Sequence, residues 1–192
     1  MIDLRTHRRA TLGATLLAAA SAAAIGLAGL LGPAAASAAD GAKLITARDD
    51  CETASFDAAV GPGTCIGDGR TTFDTFVGQL VTRGSAKRWL FSADHVHVHP
   101  GQRVAIRNDG GEFHTFTQVA SFGGSCVPVI NDLLGTTPPP ECQPEVQPGV
   151  PLAFVTSGVA QNGTLTINGL AAGTYRFQCL IHPWMRTTVE VR

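Results

Sequence analysis

A hydrophobic period of two begins near Trp89 and constrains the fold of this chain more than any other feature. Val96 and Val98 alternate with polar residues, and Val104 and Ile106 repeat the pattern after a Pro-Gly turn. Because successive side chains of a strand point to opposite faces, this spacing indicates strands with one buried face. Four further short runs continue this series of strands, at 116–119, 165–167, 174–177 and 188–191. Short strands separated by Gly-containing turns predict an all-β sandwich.

The residues before Trp89 follow different patterns. From 40 to 70 the sequence is small and polar with repeated Gly-containing turns, which predicts an irregular, disulfide-tied extension. Apolar residues then recur at helical spacing between Phe73 and Leu80, after a Thr-Thr pair that offers an N-cap and before Gly84. We therefore expect one short helix packed on the β domain.

The N-terminus has the pattern of an export signal. Three arginines precede an Ala/Leu/Gly-rich run at 10–31, and a small-residue cleavage motif follows at 36–38. We predict a secreted or extracytoplasmic protein, in the periplasm or at the cell surface. The adjacent Arg8 and Arg9 suggest twin-arginine export, although the residues after the pair match that signal poorly. An uncleaved membrane anchor is the alternative, because the apolar run approaches the roughly 20 residues of a spanning helix. The predicted layout is a signal peptide at 1–38, an N-terminal extension with a short helix at 39–88 and the β domain at 89–192.

Size and charge limit the classes of function. The chain has 192 residues, which leaves room for one domain with a real core once the N-terminus is set aside. Its formal net charge is -1, and the basic residues are scattered. Nucleic acid and anionic lipid would both favour a clustered excess of Lys and Arg, so we expect neither as a partner.

The chain has five cysteines, which is an odd number and leaves one thiol over. Four of them form two local pairs in loop-like sequence, and a bond that closes such a loop is common in exported domains. We predict disulfides Cys51–Cys65 and Cys126–Cys142, which leave Cys179 unpaired. Four cysteines allow three connectivities, so the other two pairings stay open.

The unpaired Cys179 begins the segment that carries the chemistry. His182 and Met185 follow it at intervals of three in one tight loop after a predicted strand. Thiolate, imidazole and thioether together select copper in a trigonal site with a weak axial Met, whereas calcium or magnesium would want carboxylates. A second imidazole is available at His114, which begins another strand after an Asn-containing turn. We predict a copper site formed by these four side chains.

These residues resemble the small blue copper proteins, or cupredoxins, and the spacing C-x2-H-x2-M is most similar to amicyanin. The resemblance covers residues 89–192. It implies a Greek-key β-sandwich with one type 1 copper ion held by His114, Cys179, His182 and Met185. It also implies an electron carrier rather than an enzyme, with no substrate bound at the metal and an unidentified redox protein as partner. The extension before Trp89 and a Pro-rich insert between 121 and 150 depart from the family pattern.

A copper carrier or storage protein without redox turnover is the alternative function. By family resemblance, His182 should lie near the surface and present its ring edge as the electron port. A third hypothesis, a redox enzyme with a further catalytic copper, would need more His-x-His pairs than the one stripe present.

Several other side chains have two interpretations. His95, His97 and His99 alternate along one predicted strand, and we expect a solvated strand face there. Glu112 is expected to lie in the outer shell of the copper site or on the surface. Trp184 is expected to cover the copper loop, with electron entry as the second interpretation.

Overall fold

The computed structural model describes residues 41–192, and the predicted signal peptide lies outside this range. The strands are β1 Lys43–Arg48, β2 Leu90–Phe91, β3 His95–Val98, β4 Val104–Asn108, β5 His114–Thr115, β6 Thr117–Val119, β7 Glu145–Gln147, β8 Val150–Pro151, β9 Gly158–Val159, β10 Thr164–Ile167, β11 Gly173–Gln178 and β12 Arg186–Val191. The helices are α1 Thr53–Val60, α2 Phe73–Arg83, α3 Pro128–Leu134 and α4 Leu152–Thr156, with a short 3-10 turn at Pro140–Cys142. Among these residues no helix is both long enough and apolar enough to cross a membrane.

Two four-stranded sheets enclose the core. One has the order β10-β4-β1-β2 and the other β3-β12-β11-β6. Alternate residues of β12 are buried, including Val189 and Val191, as the period-two pattern predicts. In the other sheet, Ile45 of β1 and Ile106 of β4 are fully buried and belong to the same core cluster. The prediction of a sheet-dominated domain is therefore confirmed.

Strand β1 and helix α1 occupy residues 43–48 and 53–60, so the expectation of an irregular stretch is wrong there, whereas residues 61–70 form no helix or strand. Strand β1 pairs in parallel with β4 and antiparallel with β2. The helix α1 then begins after Glu52, whose carboxylate accepts hydrogen bonds from the backbone N–H groups of Ala54 and Ser55. The sequence of β1 is too short to indicate a strand by its own pattern. Its strand conformation depends on pairing with residues about 60 positions later.

Helix α2 occupies the segment where a short helix is predicted. Thr72 caps its N-terminus by accepting a hydrogen bond from the N–H of Thr75, and Gly84 ends it in the left-handed conformation. Phe76 and Leu80 of this helix are buried in the main core. Where the β domain begins stays a prediction, although the pairing of β1 favours a boundary earlier than Trp89.

Both predicted disulfides are present. Cys51 is bonded to Cys65 and Cys126 to Cys142, while Cys179 is the free, buried cysteine of the described region. The second bond ties down the Pro-rich insert between 121 and 150, which also contains α3 and the β7–β8 hairpin.

Candidate metal centre

The loop between β11 and β12 brings three of the predicted ligands together. Cys179 follows β11 directly, and its N–H donates to the carbonyl oxygen of Met185 at 3.0 Å. The N–H of Met185 in turn donates to the carbonyl oxygen of His182 at 2.9 Å. Because the loop closes on itself by backbone bonds, its side chains have fixed positions relative to one another.

The structure adds His114 to this loop and forms a compact triangle of donor atoms. His114 Nδ1 and His182 Nδ1 each lie 3.8 Å from Cys179 Sγ, and the two nitrogens lie 3.3 Å apart. The three side chains are buried. A point equidistant from three atoms with these separations lies about 2.1 Å from each, which matches metal–nitrogen and metal–sulfur bonds of about 2.0–2.3 Å. The donor set therefore fits a small transition-metal ion without rearrangement.

Met185 is the fourth predicted ligand. Its side chain is completely buried and belongs to the core cluster that also includes Cys179. A weak axial thioether is the usual complement to a Cys-His-His trigonal set. Ligation by Met185 stays a prediction.

The sulfur of Cys179 has two kinds of polar neighbour. The backbone N–H of Thr115 donates to it at 3.4 Å, and Thr115 Oγ1 accepts from the N–H of Leu180 at 2.8 Å. Burial raises the pKa of the Cys179 thiol, but hydrogen bonds and positive charge from His114 and His182 outweigh it and hold that pKa well below its usual value. The site thus favours the thiolate, which is the form that binds metals.

The turn before His114 is held by a buried asparagine. Asn108 Nδ2 donates to the carbonyl oxygens of Glu112 at 2.7 Å and Val159 at 3.0 Å, and its Oδ1 accepts from the N–H of Gly110 at 2.9 Å. Because every polar atom of this side chain is used, Asn108 ties the turn that leads into His114 to the backbone of Val159.

Asp49 follows β1 directly and contacts His114, and the sequence did not single it out. Its Oδ2 accepts from His114 Nε2 at 2.8 Å, and both side chains are fully buried. A proton on Nε2 leaves Nδ1 free to bind a metal, so this contact selects the tautomer that the triangle needs. An acidic residue after a short apolar run was the only signal, and it is a common one.

Asp49 and His114 shift each other's pKa values in opposite directions. Burial raises the pKa of Asp49, but His114 and the backbone N–H groups of Glu112 and Gly111 outweigh it and lower that pKa to about 2. Burial lowers the pKa of His114, but Asp49 and Cys179 outweigh it and raise that pKa to about 10. Asp49 is therefore a carboxylate at neutral pH.

Glu112 occupies the corresponding position beside the second histidine. Its Oε2 lies 3.5 Å from His182 Nε2 and accepts a hydrogen bond from the indole N–H of Trp89. Burial raises the pKa of Glu112, and this effect is greater than the lowering by His182 and by Trp89. Of the two expected positions for Glu112, the structure shows the one beside the centre. Each histidine thus has its Nε2 next to the carboxyl group of an acidic residue.

His182 is covered, so the expectation of a surface-exposed ring edge is wrong. Only 2 % of the residue is exposed. Its ring lies edge-on to Phe76 of α2, with centroids 6.1 Å apart, and 5.5 Å from the ring of Trp184. Trp184 also donates its indole N–H to the carbonyl oxygen of Trp89 at 3.2 Å. Phe76 of α2 and Trp184 therefore form the cover of His182 in this chain.

An apolar groove of about 620 Å³ lies beside this cover. His182 and Glu112 are among its lining residues, with apolar side chains of α1, α2 and α3. The lining includes Phe56, Phe73, Phe76, Val77, Ile130 and Leu133. The groove therefore offers an apolar approach to His182 from outside.

Comparison with known proteins identifies similar structures only. No protein-family model matches the chain, and no curated protein matches it. A reduced Cu(I) form of an amicyanin variant at pH 4 is 22 % identical, with a TM-score of 0.34 over 56 % of this chain and 77 % of that one. A purple cupredoxin from Nitrosopumilus maritimus is 16 % identical, with a TM-score of 0.36 over 56 % of this chain and 86 % of that one. An oxidised amicyanin variant is 17 % identical, with a TM-score of 0.38 over 83 % of this chain and 90 % of that one. All three similarities lie below 25 % identity and below a TM-score of 0.5.

Proposed function

We propose that this chain is a cupredoxin-like, Greek-key type 1 copper protein that transfers electrons outside the cytoplasm. One observation carries the proposal: the thiolate sulfur of Cys179 and the Nδ1 atoms of His114 and His182 form a buried triangle of metal-binding size. Two disulfides support export, because such bonds persist in oxidising compartments.

The chemistry of the donor set favours copper. A thiolate with two imidazoles and a thioether is a soft set, which copper prefers over hard ions. We propose Met185 as the axial ligand, because it closes the loop and is fully buried. Copper held by these residues supplies a reversible one-electron couple.

The protein's own contribution is to keep the ligands in place. Asn108 fixes the turn before His114, Asp49 orients the His114 ring, and backbone bonds close the loop from Cys179 to Met185. Ligands held by such outer contacts do not have to move when the charge of the site changes. This rigidity suits a carrier that accepts and returns electrons.

The same arrangement argues against catalysis at the metal. Four donors in proposed ligand positions would leave no position for a substrate, so we propose a carrier and not an enzyme. Electrons would enter through the aromatic cover of His182, formed by Phe76 and Trp184, from a redox protein whose identity is open.

The test is repeated reduction and reoxidation of the copper-loaded protein in the presence of a competing copper chelator. We expect an intense visible absorption in the oxidised form that recovers fully over many cycles, because no ligand has to leave. Cys179→Ser, which lacks the thiolate, serves as the control without that absorption. Stepwise transfer of copper to the chelator on reduction would contradict the proposal and favour a copper carrier or storage protein.

A further inference from the structure

The histidine stripe of β3 lies on the outer face of a sheet, away from the core. Val96 and Val98 of this strand are buried, whereas His95 and His97 alternate with them and have half-exposed side chains. Strand β3 is the edge strand of its sheet, next to β12. The two imidazoles are therefore accessible to ions from solution.

The parallel pairing of β3 with β12 places a carboxylate beside these imidazoles. Glu190 is the register partner of His97, and Thr188 is the partner of His95. One oxygen of Glu190, Oε2, lies 3.0 Å from His97 Nδ1 and 3.4 Å from His95 Nε2. The ligand atoms of the three residues all lie within 4.8 Å of one another.

We propose that His95, His97 and Glu190 form a second metal site, which binds a divalent transition-metal ion such as Zn²⁺ or Cu²⁺. Two imidazoles and one carboxylate are a donor set for these ions, whereas Ca²⁺ and Mg²⁺ require mainly oxygen ligands. Atoms bonded to one ion at about 2.0–2.2 Å lie about 3–3.5 Å apart, so the two contacts of Glu190 already have the necessary length.

The site differs in character from the buried centre. It has no thiolate, and its three ligands on an open face leave coordination positions for water. Arg192 Nη1 lies 3.4 Å from Glu190 Oε1, which leaves Oε2 as the oxygen aimed at both histidines. An ion bound there exchanges readily with solution and gives no thiolate absorption.

Hydrogen bonds among His95, His97 and Glu190 contribute little to the stability of the protein. Ion pairs between exposed side chains contribute little to stability, and the side chains of His95 and His97 are 51 % exposed. Both rings nevertheless aim a nitrogen at the same carboxylate oxygen. His99, the third member of the stripe, is directed elsewhere: its Nδ1 lies 3.4 Å from the carbonyl oxygen of Arg192. This difference makes His99 a matched control.

The experiment is a calorimetric titration of Zn²⁺ into the untagged protein at neutral pH, after the buried centre has been loaded with one equivalent of copper and any excess copper has been removed. We expect one Zn²⁺ ion whose affinity falls about tenfold or more in His97→Asn and in Glu190→Gln, since loss of a ligand should cost at least as much as loss of an outer contact. His99→Asn should bind Zn²⁺ like the wild type. In NMR spectra, Zn²⁺ should shift the ring resonances of His95 and His97 but not those of His99.

Two results would overturn the proposal. The first is that Zn²⁺ binding to the wild type does not depend on His97 and Glu190, or does not occur. The second is that His99→Asn loses as much Zn²⁺ affinity as His97→Asn. Circular dichroism verifies that each variant is folded, which we expect because these side chains lie on the surface. The visible spectrum of the buried centre is recorded separately, so a wrong copper assignment and a wrong surface site give different results.

Discussion

Replacement of Asp49 by Asn tests how the structure controls His114, the proposed metal ligand. The Asp49 carboxylate can only accept hydrogen bonds. Its two oxygens accept them from N–H groups of His114 at 2.8 Å, Gly111 at 2.9 Å and Glu112 at 3.1 Å. An Asn amide has one oxygen and one NH₂ group, so at least one of these donors would face another donor. If NH₂ faces His114, the ring must place its proton on Nδ1, which is the proposed metal-binding atom.

The expected magnitude follows from these contacts. Loss of a partner that orients a ligating histidine lowers metal affinity about 10–100-fold, which corresponds to about 1.4–2.7 kcal/mol. A buried donor left without an acceptor also lowers the free energy of unfolding by about 1–3 kcal/mol. We therefore expect Asp49→Asn to fold, with weaker copper binding and reduced stability.

Copper affinity is measured by competition with a chelator, stability by urea unfolding, and the His114 tautomer by ¹⁵N NMR of the protein loaded with diamagnetic Cu⁺. Asp109→Asn is the matched control, because Asp109 pairs with Arg107 at the surface and its loss should change stability by less than about 1 kcal/mol. Copper affinity within twofold of the wild type, together with an unchanged His114 tautomer, would refute the role assigned to Asp49.

Three further substitutions test the centre and its cover. Cys179→Ser should remove the intense visible absorption and keep the fold, and a retained band in absorption spectra would rule out the thiolate as its source. Met185→Leu should keep copper, because three strong ligands remain, and raise the reduction potential measured by voltammetry; complete loss of copper would contradict a weak axial role. Phe76→Ala should lower the free energy of unfolding by about 3–5 kcal/mol, because Phe76 is only 4 % exposed. It should also speed reduction by small soluble reductants by uncovering His182, and an unchanged rate in stopped-flow measurements would show that Phe76 does not limit access.

The fold and the donor set could be predicted to different extents. The strands after Trp89 follow from a period-two pattern, and β12 buries alternate residues as that pattern requires. Strand β1 was missed because its conformation depends on pairing with β4, far along the chain. The exposure of His182 was predicted wrongly for a similar reason, since Phe76, which covers it together with Trp184, comes from a helix more than a hundred positions earlier.

What the sequence alone determined is local. Cys179, His182 and Met185 lie close together in the sequence, so their spacing alone indicates one loop and one set of donors. The tertiary structure decided which groups surround that loop. Asp49 reaches His114 across 65 positions of sequence because β1 and β4 lie side by side, and no spacing rule connects residues so distant. Short-range backbone bonds shape the ligand loop, whereas the orientation of His114 and the burial of His182 come from contacts that form only when the sheets and α2 pack together.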